Sequence, residues 1–186
     1  MSVLSGLKNI HQMYFSKPES DRLLYRAIRR QRMTTILELG IGNLDRTLRL
    51  IAMAGRLQGD MAQIAYTGID LFDARSPDFE PLRLKHAHQS LSRSGAKIKL
   101  VPGDVDNGLT RMANALLGTD LVIMHTPQVL QPCSKAWFYF PRILHRATEI
   151  FQEELSVGED QPGGYRTLAH EEIHHLAQSV SGRRVA

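Results

Sequence analysis

The segment Thr34 to Gly55, TTILELGIGNLDRTLRLIAMAG, constrains the fold more than any other part of this chain. Its apolar run of Ile36, Leu37, Leu39 and Ile41 carries one acid, Glu38, and is broken by Gly40 and Gly42. Beyond the glycines the period changes: Leu44, Leu48 and Ile51 recur at helical spacing, with Asp45 as a candidate cap. A buried strand, a tight glycine turn and an amphipathic helix, in that order, form the opening unit of a nucleotide-type binding fold.

The rest of the chain repeats the alternation. Leu4, Leu7, Ile10 and Tyr14 are near helical spacing, and after Pro18 a second helix is predicted in which Asp21 caps Leu24, Ala27 and Ile28. The β-rich IAYTGIDLF, ending on Asp70, predicts strand two. Ser76 and Pro77 then open a helix that carries Leu82, Ala87 and Leu91 and stops at Gly95. KIKLVPGDV is strand three, a helix with Leu109, Met112, Ala113 and Leu116 ends at Gly118, and TDLVIMH is a strand buried on both faces. WFYFPRILHRA reads as a connection, EIFQEEL as strand five, PGGY as a break, and LAHEEIHHLAQ as the last helix. Strands alternating with helices at this spacing predict an α/β fold with a doubly wound, mostly parallel sheet. The expected organisation is a single domain over 1–186, with residues 1–33 as a helical extension of a 34–186 core and a mobile stretch over 154–164.

Composition narrows the functional classes. Hydrophobic residues make up 42% of the 186, and no apolar stretch reaches the roughly 18 residues that span a bilayer. The opening residues lack a basic leader followed by an apolar core, and Cys133 is the single cysteine, so a cytoplasmic, reducing setting is expected. Arg22, Arg26, Arg29, Arg30 and Arg32 crowd together before the first strand. With no aromatic residue between them to stack on bases, they read as a solvated helix face before they read as a nucleic-acid surface.

In an open parallel sheet, ligands bind where the winding reverses, at the carboxyl ends of the strands. Those ends here are Gly40 and Gly42, Asp70, Gly103 and Asp104, and His125. The set suits an adenosine-containing ligand: glycine lets a backbone approach, one carboxylate accepts from both ribose hydroxyls, and a second accepts from the adenine amino group. ELGIGN, GID, PGDV and TDLVIM, in that order from Thr34 to His125, resemble the motifs of the class I S-adenosylmethionine-dependent methyltransferases.

The resemblance implies a Rossmann-like methyltransferase fold, shortened at its C-terminal end, with S-adenosylmethionine as cofactor and a small molecule as methyl acceptor. It assigns Glu38 to the glycine loop and methionine moiety, Gly40 and Gly42 to the loop backbone, and Asp70 to the ribose. Leu71 falls beside the adenine, and Asp104 with Val105 at its edge. The chain departs from the pattern at Asn43 and Leu44, where the family has a third glycine, and little sequence remains for the family's closing antiparallel strand pair. Asp45 also weighs against a nicotinamide dinucleotide, because it would face a pyrophosphate at a helix N-terminus, whereas a sulfonium ligand carries no phosphate.

His125 could act as general base on a hydroxyl or amine acceptor, or simply be a satisfied histidine at a strand end. Trp137, Phe138, Tyr139 and Phe140 read as core packing before they read as an acceptor pocket. His170, Glu171 and His174 match the HExxH spacing of zinc peptidases, but no Asp, Glu, His or Cys follows His175 to complete a ligand set, so no metal site is expected. The alternative functions are a non-catalytic binding module that uses the basic helix as a partner surface and, further off, a metal-dependent hydrolase.

Overall fold

The computed structural model of the chain describes residues 21–125, 134–154 and 164–182. The expected first helix, the loop after strand four that holds Cys133, the interior of the stretch expected to be mobile and the last residues of the tail lie outside these. The elements run α1 (Asp21–Gln31), β1 (Thr35–Leu39), α2 (Leu44–Gln58), β2 (Ala65–Asp70), α3 (Leu84–Ser92), β3 (Lys97–Pro102), α4 (Val105–Met112) and β4 (Thr119–Met124). They continue with α5 (Phe140–Ile143), β5 (Leu144–Glu154), β6 (Gly164–Thr167) and α6 (His170–Gly182). The sheet order is β3-β2-β1-β4-β5-β6, with β6 antiparallel to β5 and the other neighbours parallel. The winding therefore reverses between β1 and β4, and a crevice is predicted above that pair.

Side-chain alternation along β1 explains how the two faces are filled. Ile36 joins Leu24, Tyr25, Leu50, Ile51, Tyr66 and Ile123 in one apolar cluster, beneath α1 and α2. Leu37 and Leu39 join Ile69, Leu109, Val122, Phe140, Ile150 and Ile173 in another, beneath α4, α5 and α6. Because the side-chain period of a strand is two, Glu38 falls on the same face as Ile36, inside the sheet's α1–α2 side. Among the described residues no helix is long and apolar enough to cross a membrane.

Several boundaries differ from expectation. The helix predicted from Ser76 begins at Leu84. Pro81 would stand inside the predicted helix, where it removes a backbone donor and pushes Glu80 out of the helical region. Helix α2 is capped by Asn43, whose side chain accepts from the Arg46 N–H, and not by Asp45, which sits in the first turn. Strand β5 starts at Leu144, so it takes up the LHRA segment read as the end of a connection. Gly164–Thr167, read as part of a break, is the antiparallel edge strand. The aromatic run divides: Trp137 and Phe140 are core residues with ring centroids 4.9 Å apart, whereas Phe138 is exposed.

Candidate functional site

The reversal point is built from backbone first. The Gly40 N–H donates to the Ile69 carbonyl and the His125 N–H to the Leu39 carbonyl, so the turn after β1 is tied to both neighbouring strand ends. Gly40 adopts φ 75°, a conformation that favours glycine, and the chain can then leave the strand sharply. Beneath this turn lies Glu38, fully buried. A carboxylate inside an apolar sheet needs donors. Glu38 Oε2 accepts from Thr47 Oγ1 at 2.7 Å and from Tyr66 Oη at 2.6 Å, and its Oε1 lies 3.1 Å from His125 Nε2. Gly68, directly across the ladder from Glu38, makes this possible. A Cβ there would come within 2.9 Å of Tyr66 Oη and 2.8 Å of the Ile41 side chain.

His125 is 1% exposed and engaged at both nitrogens. Its Nδ1 lies 3.0 Å from Arg46 Nη2, 3.3 Å from Tyr165 Oη and 3.5 Å from Glu153. Arg46, 6% exposed, stands over Gly42: a Cβ on Gly42 would be 2.3 Å from Arg46 Nη2. Its other nitrogen faces Asp21 at 3.7 Å and Glu153 at 3.9 Å, and its guanidinium lies 5.5 Å from the centre of the Tyr165 ring. Asp21, expected as a helix cap, is buried beside Arg46 and Arg49 instead.

Charges in this cluster set one another's titration. Burial works against the Glu38 carboxylate, but the hydrogen bond and charge of His125, with Arg46 and Tyr66, outweigh it and hold the group below its ordinary value. Burial likewise works against a charged His125, yet Glu153 and Glu38 hold the imidazole above its ordinary value. Burial raises the Asp21 carboxyl despite Arg46 and Arg49.

Asp70, at the end of β2, is 1% exposed and saturated. Oδ2 accepts from the Ile41 N–H at 2.7 Å and Oδ1 from the Phe72 N–H at 2.7 Å. Phe72 has φ 49°, unusual for a buried aromatic residue, and this turn is what brings its N–H back onto Asp70. The remaining acceptor positions go to Arg75, whose Nε donates to Oδ1 at 2.8 Å and whose Nη2 donates to Oδ2 at 2.6 Å. Asp104, exposed at the end of β3, caps α4 by accepting from the Asn107 N–H and side chain, and these hydrogen bonds hold its carboxyl below the ordinary value. Val105 is buried behind it, and Leu71 is half-buried after Asp70.

The fold thus gathers Glu38 and His125 into one buried cluster beneath the exposed Gly42 and joins Asp70 to the glycine turn through Ile41. Asp104 stands apart on the surface. Sequence reasoning missed Arg46, Thr47, Tyr66, Tyr165 and Arg75. Thr47 and Tyr66 carried a signal, since a buried Glu38 required donors nearby; Arg75, in a polar loop, carried none. His170 Nε2 donates to the Thr148 carbonyl at 2.9 Å, and among the described residues no group of three or more His, Cys, Asp or Glu is arranged to hold a metal. Grooves of about 550 and 450 Å³ border α3, one against Leu48 and Met61 and the other against Leu100, and neither includes Asp70 or Gly42.

No family profile matches the chain, and neither does any curated protein. Solved structures do. The TDP-rhamnose 3'-O-methyltransferase CalS11 of calicheamicin biosynthesis is similar at TM-score 0.52 and 13% identity, over 95% of this chain and 83% of that one. A Klebsiella pneumoniae protein with a provisional O-methyltransferase assignment is similar at 0.51 and 13%, over 98% and 78%. The trans-methyltransferase CalH, solved with SAH, is similar at 0.50 and 18%, over 84% of this chain but 42% of that one. At such identities the likeness is one of fold: the chain has the Rossmann-like architecture of these methyltransferases.

Proposed function

We propose that this chain binds S-adenosylmethionine at the carboxyl ends of β1, β2 and β3 and acts as a methyltransferase on a small molecule. The observation that carries the reading is Asp70. Two backbone N–H groups, one from the glycine turn, fix its carboxylate at the end of β2, and the acceptor positions left over face a side chain from a surface loop. The residues present suit the cofactor. Asp70 would accept from the ribose hydroxyls once Arg75 has moved. Gly40 and Gly42 would bring backbone to the methionine portion above Glu38, with Arg46 standing over Gly42, Leu71 beside the adenine and Asp104 and Val105 at its edge.

When bound, the cofactor supplies an electrophilic methyl group; the chain's contribution is positioning and exclusion of water. Glu38 and His125 hold the floor of the crevice in one arrangement through their mutual contact and through Arg46. Titration calorimetry with S-adenosylhomocysteine tests the reading: heat and a thermal shift are expected. Their absence at millimolar ligand, with the protein folded, refutes it. Asp70→Ala should weaken binding by about 1–3 kcal/mol through loss of a charge-assisted contact.

The burial of His125 favours a second reading, in which the chain binds the cofactor without transferring its methyl group. A ring 1% exposed with both nitrogens engaged has no free lone pair for an acceptor's proton. Radiolabelled methyl transfer to a panel of phenols and amines, at concentrations where calorimetry reports binding, separates the two: any labelled product rejects the second reading.

A further inference from the structure

We infer that Arg75 is a built-in competitor for the ribose subsite, so that ligand access to Asp70 is set by release of this one side chain; the inference rests on the reading of Asp70 given above. Arg75 reaches Asp70 from the loop that follows β2. Its Nε and Nη2 form two parallel bonds to the carboxylate, 2.8 and 2.6 Å long, in the fork geometry of the strongest charge-assisted pairs. Nη2 also donates to the Ile41 carbonyl at 2.5 Å and Nη1 to the Glu80 carbonyl at 2.8 Å. The guanidinium therefore bridges the carboxylate, the glycine turn and the far limb of its own loop.

Two ribose hydroxyls would need the same carboxylate oxygens. They are neutral donors set against a bidentate cation, so the folded protein starts in the closed arrangement. Opening is nonetheless feasible. Arg75 is joined to the fold at its periphery: residues 76–81 of its loop are exposed, and the side chain itself is 12% exposed against 1% for Asp70. Asp70 has two further donors that do not involve Arg75, the Ile41 and Phe72 N–H groups. The subsite is thus preformed beneath a removable cation, and a ligand's affinity is reduced by the fraction of molecules in which the cation is in place.

The test is calorimetry with S-adenosylhomocysteine on the full chain and on Arg75→Ala and Arg75→Gln. Circular dichroism reports folding, and the glutamine variant, shorter than arginine and uncharged, keeps an amide donor near the position of Nε. Both variants are expected to bind about ten-fold or more tightly than the parent, as removal of one charged competitor implies, and the gain should vanish when Asp70→Asn is added. If the parent binds and a folded variant binds no more tightly, the competitor role is overturned while the cofactor reading stands. If neither parent nor folded variants bind, the cofactor reading falls and takes this inference with it.

Discussion

Glu38 offers the sharpest test of how the crevice is held. It is fully buried, and it receives hydroxyl donors at 2.7 and 2.6 Å on one oxygen and the His125 ring at 3.1 Å on the other. Glu38→Gln keeps the shape and removes the charge. The amide can still accept from Thr47 and Tyr66 through its oxygen, but its NH2 group then faces the His125 N–H, donor against donor, while Arg46 loses a nearby counter-charge. Breaking a buried pair in this way costs about 3–5 kcal/mol, a fall in melting temperature of roughly 10 °C for a chain of this size. The pH dependence adds a second readout. Glu38 is held below its ordinary 4.5, so its contribution is present above that value and is lost as pH falls through the folded value. His125 is held above its ordinary 6.5, so its contribution is complete below 6.5 and is lost as pH rises through the folded value. Urea unfolding between the acid and alkaline limbs should therefore show the parent weakening on both sides. In Glu38→Gln the His125 value falls, and the alkaline weakening begins at lower pH. A variant within about 1 kcal/mol of the parent, with an unmoved alkaline limb, would show that the contact contributes no net coupling.

Other substitutions probe close approach and capping. In Gly108→Ala the new Cβ would meet the branched Ile69 Cγ2 at 2.3 Å, inside the core, so denaturant unfolding should register a loss of about 1–3 kcal/mol. Gly55→Ala meets only the thioether of Met61 at 1.8 Å, which can swing aside, and a mid-helix alanine gains about 1 kcal/mol in propensity; the same assay should find it near neutral. Asn43→Ala removes the acceptor for the Arg46 N–H and should cost about 1 kcal/mol, whereas Asn43→Asp should retain most of it.

Strands β1 to β4 were legible because each is a short β-rich run that ends at glycine or a polar residue. Ile36 and Leu37 had to bury on opposite faces, and Gly40, Gly95 and Gly118 ended elements where positive φ is needed. What stayed illegible shares a physical cause. Proline at 81 outweighed a plausible helix start at Ser76, and a four-residue edge strand at Gly164–Thr167 is set by pairing with β5, not by its own period. The candidate site divides in the same manner. Glu38, Asp70 and the glycines are strand-end residues whose positions follow from the sheet, but their partners Arg46 and Arg75 reach in from a helix and a loop through several rotatable bonds. Backbone pattern does not dictate where such side chains point.

That difference in tethering has a measurable consequence at Asp70. If Arg75 is a removable occupant, the turn around Asp70 must not depend on it; if Arg75 instead supports the turn, its loss must loosen the backbone. The Ile41 and Phe72 N–H groups, both 2.7 Å from Asp70, report which holds. Asp70→Ala deprives each amide of its only described acceptor, a loss of about 1–3 kcal/mol per buried donor, so their native-state hydrogen exchange should quicken by roughly ten- to hundred-fold. Arg75→Ala leaves both acceptors in place, and the two amides should exchange within about threefold of the parent, since each keeps its own bond to Asp70 when the Arg75 contact is lost. Ile41 and Phe72 exchanging as fast in Arg75→Ala as in Asp70→Ala would make Arg75 a strut of the β2 terminus, and a ligand could then reach Asp70 only by unfolding the turn that positions it.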